Sequence, residues 1–337
     1  MKAVGYRQSL PISDPDSLID FIAPDPVPAG RDLLIEVKAV AVNPVDGKVR
    51  LRAQPPEGQT AILGWDATGI VKVAGPDCRL FQAGDEVWYA GDVTRPGCNS
   101  ELHLVDERIV GRKPASLSFA QAAALPLTSI TAWELLFERL RIPPGKHPLG
   151  QSLLIIGAAG GVGSILTQIA SRLTALTVIG TAARPESRDW VLQNGAHHVI
   201  DHSQPLAAEL RRLGIPQITH VAALTQTDRH WEQIVESLAP QGHLCLIDDP
   251  PALDVKLLKK KSIALHWELM FTRSMFQTPD MIAQHHLLNE VSALVDAGIL
   301  RSTFADHYGT ICAENLKRAQ ALIESGRSRG KIVLEGF

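Results

Sequence analysis

Residues 151–172, QSLLIIGAAGGVGSILTQIASR, confine the chain to very few folds. The run Leu153-Leu154-Ile155-Ile156 is continuously apolar and sits between Pro143-Pro144-Gly145 and a glycine cluster, as a strand buried on both faces does. Gly157, Gly160 and Gly163 follow at even spacing, and then Val162, Ile165, Leu166, Ile169, Ala170 and Leu173 recur at helical spacing. A glycine pattern alone would mark only a tight turn. With a strand before it and an amphipathic helix after it, the turn points to a dinucleotide. A pyrophosphate reaches a helix N-terminus only where no Cβ stands in the way. Gly157, Gly160, Gly161, Val162 and Gly163 are therefore the candidate backbone cradle.

The same alternation continues downstream. Strands are expected at 152–156, 176–181, 197–200, 218–223, 242–247 and 262–267, with helices at 161–173, 185–194, 205–213 and 228–238. Six strands joined by helices describe a doubly wound parallel sheet in an α/β protein. Residues 1–110 read differently, as short strands at 33–40, 69–75, 85–89 and 101–110 between Gly/Pro turns, a barrel-like or sandwich-like module. Ser118 is placed to cap a helix through Ala124, and Leu127–Arg139 gives a second helix. Beyond residue 277 come helices near 280–297 and 313–325 and a final strand, Lys331–Leu334. The simplest assembly returns this last segment to the N-terminal module.

At 337 residues the chain is long enough for two cores, and a net charge of −3 argues against nucleic acid or a membrane surface as partner. Met1-Lys2-Ala3-Val4 leads into a strand-like segment, and no apolar run is long enough to span a bilayer, so a cytoplasmic protein is expected. Cys78, Cys98, Cys245 and Cys312 show no C-x-x-C spacing, which suggests neither a disulfide framework nor a zinc loop. Lys259-Lys260-Lys261 reads as a solvated loop, and His197-His198 and His285-His286 as adjacent strand residues facing opposite ways.

The second strand of the sheet selects the cofactor. NAD-binding versions place an acidic residue there to accept hydrogen bonds from the adenosine ribose. Here the strand ends Gly180-Thr181-Ala182-Ala183-Arg184, with no carboxylate. Small residues leave room for a 2′-phosphate that the Arg184 guanidinium can meet bidentately, so NADPH is expected over NADH. The alternative is a solvated arginine in the loop before Pro185.

Asn43-Pro44-Val45-Asp46, Leu63-Gly64-Trp65-Asp66-Ala67-Thr68-Gly69, Ala83-Gly84-Asp85-Glu86-Val87, Leu125-Pro126-Leu127-Thr128, the glycine turn and Arg329-Gly330-Lys331-Ile332-Val333 occur in an order that resembles the medium-chain dehydrogenase/reductases, in their quinone oxidoreductase and zinc-type alcohol dehydrogenase-like branch. The resemblance implies a GroES-like β-rich catalytic domain, 1–127 with 276–337, interrupted by a Rossmann domain, 128–275. It also implies a homodimer, paired through the sheet edge at Ser262–Trp267. Zinc-dependent members carry cysteine where this chain has Asn43, and His-Glu where it has Trp65-Asp66. An amide and an indole are not zinc ligands, so no metal is expected.

Without a Lewis acid to hold an alkoxide, the expected chemistry is hydride transfer from NADPH to a quinone or α,β-unsaturated carbonyl. By resemblance, Asn43 and Thr128 lie beside the nicotinamide ribose and ring, and His202 and Lys331 share the phosphate-side electrostatics. Lys48 is the candidate donor to a developing enolate, or else a surface lysine on the turn Asp46-Gly47-Lys48. Asp66 reads as a structural carboxylate receiving backbone N–H groups, and Arg273 as a cofactor, substrate or interface residue. Two other functions remain open, a non-enzymatic NADPH-binding redox sensor and an alcohol dehydrogenase-type activity.

Overall fold

A computed structural model describes residues 1–146 and 150–337. The first strands are β1 (Lys2–Tyr6), β2 (Ile19–Ile22), β3 (Asp32–Ala41), β4 (Ala61–Ile62), β5 (Ala67–Ala74), β6 (Glu86–Tyr89), β7 (Leu102–Asp106) and β8 (Val110–Arg112). The middle of the chain gives β9 (Ser152–Ile156), β10 (Thr177–Thr181), β11 (His198–Ile200), β12 (Ile218–Ala223), β13 (Leu238–Leu246) and β14 (Ala264–Trp267). The last two are β15 (Phe304–His307) and β16 (Lys331–Glu335). The chain divides into two compact units, Met1–Ile130 with Phe271–Phe337, and Thr131–Met270.

In the second unit the strand order is β11-β10-β9-β12-β13-β14, every neighbouring pair parallel. Counting from β9, this is the 3-2-1-4-5-6 order of a dinucleotide-binding sheet. The continuous apolar run explains why β9 is central: all five of its residues are buried. Its Leu154 and Ile156 join Ile179, Val221, Leu244 and Leu246 in a core shared with the Leu206–Arg212 and Thr227–Ser237 helices. Truncating a fully buried Leu154 to alanine would cost about 2–5 kcal/mol. On alternate positions of β12, β13 and β14 stand His220, His243 and His266, stacked with ring centroids 5.2 and 5.8 Å apart. Burial first, and His243 second, push His220 down to about 4.

The first unit holds a seven-stranded sheet ordered β15-β16-β3-β5-β6-β8, with β7 also on β3, and a three-stranded sheet β2-β1-β4. The C-terminal β16 lies antiparallel against β3, so the last segment does complete the N-terminal module. Ser118 caps its helix as the sequence indicates: Gln121 N–H donates to Ser118 Oγ at 3.2 Å, and Gln121 Oε1 accepts from Ser118 N–H at 3.1 Å.

Four local readings change. Asp46-Gly47-Lys48 is not a turn but part of a helix, Pro44–Arg52, with proline at its first position and Asp46 accepting the Asn43 N–H at 2.8 Å. Gly47 masked that helix, while Asn43 and Asp46 were its N-terminal signal. His285 and His286 lie on the Ala283–Asp296 helix, inside the helix expected near 280–297, so they do not face opposite ways as strand neighbours would. Lys259–Lys261 ends a 3₁₀ helix, Val255–Lys261, and the Lys261 ammonium donates to the carbonyls of Val235, Glu236 and Leu238 at 2.7–2.8 Å. It closes the C-terminus of the Thr227–Ser237 helix instead of lying free in solvent. The expected helix at 127–139 begins at Pro126 and widens after Trp133 into a π-helical stretch, Glu134–Arg139. No helix among the described residues is long and apolar enough to cross a membrane.

Candidate functional site

The glycine turn shows why Gly157 and Gly163 must be glycine. Gly157 has φ +85°, which a side chain disfavours, and a Cβ there would meet Thr225 Cγ2 at 2.9 Å. Its N–H donates to Thr181 Oγ1 at 3.2 Å, tying the end of β9 to the end of β10. A Cβ on Gly163 would lie 2.4 Å from Gly157 O and 2.6 Å from Ala158 Cα. Helix and turn therefore touch backbone to backbone. Gly160 is the N-cap, with nothing nearer its missing Cβ than Gly157 O at 3.5 Å. The Gly161–Leu173 helix opens here, and the N–H groups of Gly161, Val162 and Gly163 belong to its first turn, where no intrahelical acceptor exists. An anion is the natural partner of such a terminus.

Beside the turn, Arg184 is the N-cap residue of the Pro185–Gln193 helix. Its side chain is half exposed, with Nε 3.6 Å from Glu186 Oε1. The loop that carries it is held by Arg188, whose guanidinium donates to Ala182 O at 3.3 Å and Val199 O at 3.1 Å. Sequence reasoning missed Arg188, although it stands one helical turn beyond Arg184. His202 follows β11 and packs edge-on to His230, 6.2 Å between centroids; each ring has a buried Nδ1 with no hydrogen-bond partner among the described residues.

In the first unit the structure gathers Asn43, Asp46, Asp66 and Lys331 into one buried polar centre. All four are at most 2% exposed. The Lys331 ammonium donates to Val42 O at 2.9 Å and to Asn43 Oδ1, and pairs with Asp66 Oδ2 at 3.0 Å. Asn43 Nδ2 donates to Ala41 O and Asp66 Oδ2, both at 3.2 Å. Asp66 Oδ1 accepts the Leu127 N–H at 3.0 Å, as a structural carboxylate should. Burial pushes Asp66 up, and Lys331, Leu127 and Asn43 each oppose it. Burial lifts Asp46 to about 7 against the Asn43 N–H and Lys331, with Asp66 adding to the rise. Asp46 Oδ1 has no partner among the described residues.

This centre bears on two of the expected site residues. The Lys331 ammonium is committed to three acceptors inside the fold, where desolvation demands a partner. The Asn43 carboxamide is likewise engaged at both ends, oxygen and nitrogen alike. Thr128 is buried, with its hydroxyl on Leu125 O at 3.1 Å. Lys48 is half-buried on the Pro44–Arg52 helix. Arg273 is spent on Asp280, at 2.9 Å. No pattern in the sequence signals that Lys331 and Asp66 meet.

Nor do these residues suit a zinc ion. The Trp65 indole donates to Asp92 O at 3.1 Å, and burial pushes the Cys98 thiol up, away from the thiolate that zinc needs. The Lys331 ammonium would repel a dication from the same carboxylate. Among the described residues no group of three His, Cys, Asp or Glu side chains is arranged to share a metal.

The profile of the alcohol dehydrogenase GroES-like domain matches residues 29–130, and that of the zinc-binding dehydrogenases residues 194–334. A zinc-type alcohol dehydrogenase-like protein of Staphylococcus aureus is 37% identical over 342 aligned positions, 99% of each chain. The crystal structure of a candidate zinc-dependent alcohol dehydrogenase from Rhizobium etli superposes with a TM-score of 0.96 at 57% identity, covering 100% of this chain and 98% of that one. Escherichia coli quinone oxidoreductase complexed with NADPH shares the fold at TM-score 0.84 and 24% identity, covering 99% and 100%. Fold and site thus define a medium-chain dehydrogenase/reductase, an oxidoreductase built from a GroES-like and a Rossmann-type unit. Within that superfamily the chain belongs to the zinc-type alcohol dehydrogenase-like proteins.

Proposed function

We propose that the chain is a zinc-independent, NADPH-dependent reductase that passes hydride to a quinone or an α,β-unsaturated carbonyl. One observation carries this reading: the cation beside Asp66 is the Lys331 ammonium, and among the described residues no metal-binding donor set surrounds it. An enzyme without a Lewis acid is best matched to acceptors that take hydride unaided. Bound NADPH supplies that hydride. The first turn of the Gly161–Leu173 helix would hold its pyrophosphate, and Arg184 its 2′-phosphate, with Arg188 fixing the loop between them. The NADPH complex of the E. coli relative supports the choice of cofactor. On this reading Thr128 borders the nicotinamide, and Lys48 is the proton source for the oxygen that gains charge.

The decisive experiment mixes purified protein with NADPH and a series of simple quinones and enones and follows nicotinamide absorbance. Steady consumption is expected, with no loss after chelator treatment. Turnover that requires added zinc would overturn the zinc-independent mechanism. A second reading, a non-enzymatic NADPH sensor, draws on the glycine turn and Arg184, which would hold the cofactor without any acceptor chemistry. It predicts tight NADPH binding with no acceptor reduced. An alcohol dehydrogenase-type activity would appear as alcohol-dependent reduction of NADP⁺. We further propose a homodimer through the β14 edge, where Trp267 is 54% exposed. Light scattering should then give twice the chain mass at micromolar concentration.

A further inference from the structure

We propose that Lys331 is the positioning residue for Thr128, acting through Asp66. The proposal rests on the reading of Thr128 as part of the ligand site. Each of the three ammonium hydrogens has an acceptor: Val42 O, Asn43 Oδ1 and Asp66 Oδ2. These contacts fix where the carboxylate stands. Asp66 then divides its oxygens, Oδ2 toward Lys331 and Asn43, Oδ1 toward the Leu127 N–H. Leu127 is the second residue of the Pro126–Trp133 helix, so its N–H is a first-turn donor without an intrahelical acceptor. Asp66 fills that place, and the residue it fastens immediately precedes Thr128.

The chain of contacts therefore runs from β16 to the start of the Pro126–Trp133 helix in two links, each shorter than 3.1 Å. Its members come from segments far apart in sequence: 42–43, 66, 127 and 331. A lysine that only stabilised the sheet could be neutralised with a general loss of stability and no local consequence. A positioning lysine must instead release one place, the amides at 127 and 128.

The test compares Lys331→Gln and Lys331→Arg with wild type by native-state hydrogen exchange and by steady-state kinetics, below the unfolding transition. For Lys331→Gln, exchange at Leu127 and Thr128 should accelerate well beyond that of β3 and β5. Its kcat should fall about ten- to a hundredfold, because small misplacements at a site carry such effects, while KM for the quinone changes less than about threefold. Lys331→Arg, which keeps the charge, should recover most of both. Uniform acceleration across the unit, or unchanged kcat with a lowered melting temperature, would make Lys331 a stabilising residue only and overturn the proposal. If Lys331→Gln does not fold, Lys331→Met is read by the same exchange measurement: selective acceleration at Leu127 and Thr128 is expected, and its absence overturns the proposal. The exchange arm needs no substrate, so it decides the role of Lys331 even if no acceptor is turned over.

Discussion

The glycine turn of the second unit and the lysine-centred network of the first unit solve opposite problems. The turn is made of backbone from one short segment, Gly157 to Gly163, and leaves helix N–H groups unsatisfied for a ligand to fill. The network is made of side chains from three distant segments, 43–46, 66 and 331, tied to backbone groups of Val42 and Leu127, and among the described residues it leaves one atom unsatisfied, Asp46 Oδ1. One is a receptor built by omission of side chains. The other is a brace built by mutual saturation. The contrast separates residues that touch a ligand from residues that hold the place where it is touched.

Four substitutions would break or sharpen this contrast. Asp66→Ala should have the largest effect, since it leaves the Lys331 ammonium buried and unpaired. A loss of about 3–5 kcal/mol is expected in urea unfolding, and a loss below 1 kcal/mol would mean that the pair behaves as if exposed. Asp46→Asn comes next. The folded carboxyl titrates near 7 against an ordinary 3.8, so the native state binds the extra proton between those values. Its stability contribution is full below about pH 4 and is lost as pH rises to about 7, at most about 4 kcal/mol over the window. The asparagine variant should lack that decline; parallel curves of stability against pH for the two proteins would refute the assignment.

Gly163→Ala tests the turn. Its Cβ would collide with the Gly157 carbonyl and Ala158 backbone, neither of which can swing aside. Overpacking of this kind costs about 2–3 kcal/mol, and the melting temperature and NADPH titration should both register it. An alanine variant as stable as wild type would show that the helix is free to slide. Arg184→Ala should be the mildest. Half exposed and near Glu186, its guanidinium contributes about 1.5 kcal/mol or a little more, roughly tenfold in NADPH affinity. NADH affinity should hardly change. Equal weakening of both cofactors at one fixed salt concentration would remove Arg184 as the 2′-phosphate reader.

How legible each region was follows from how its contacts are distributed along the chain. The β9 strand and the helix after it fall at the expected residues, 152–156 and 161–173, because local periodicity and glycine spacing specify them. The Pro44–Arg52 helix was hidden by Gly47, although Asn43 and Asp46 announced its start. The partners of Lys331 are hidden for another reason. Next to a glycine near the chain terminus it resembles a phosphate contact, and only the pairing of β16 with β3 carries it to Asp66. The histidine stack was equally invisible, since His220, His243 and His266 become neighbours only through strand order. Pairings of this range leave no periodic trace.

The position of β16 between β15 and β3 has a consequence for how the protein is made. A nascent chain leaving the ribosome presents Asp66 long before Lys331 exists to neutralise it. The contiguous Thr131–Met270 unit has all of its strands available first. Folding during synthesis should therefore run out of the usual N-terminal-first order, with the middle of the chain becoming protease-resistant while residues 1–130 remain cleavable. Stalled chains ending before and after residue 335 would reveal this order in a pulse of protease. Early protection of residues 1–130 would show that the N-terminal strands do not wait for β16.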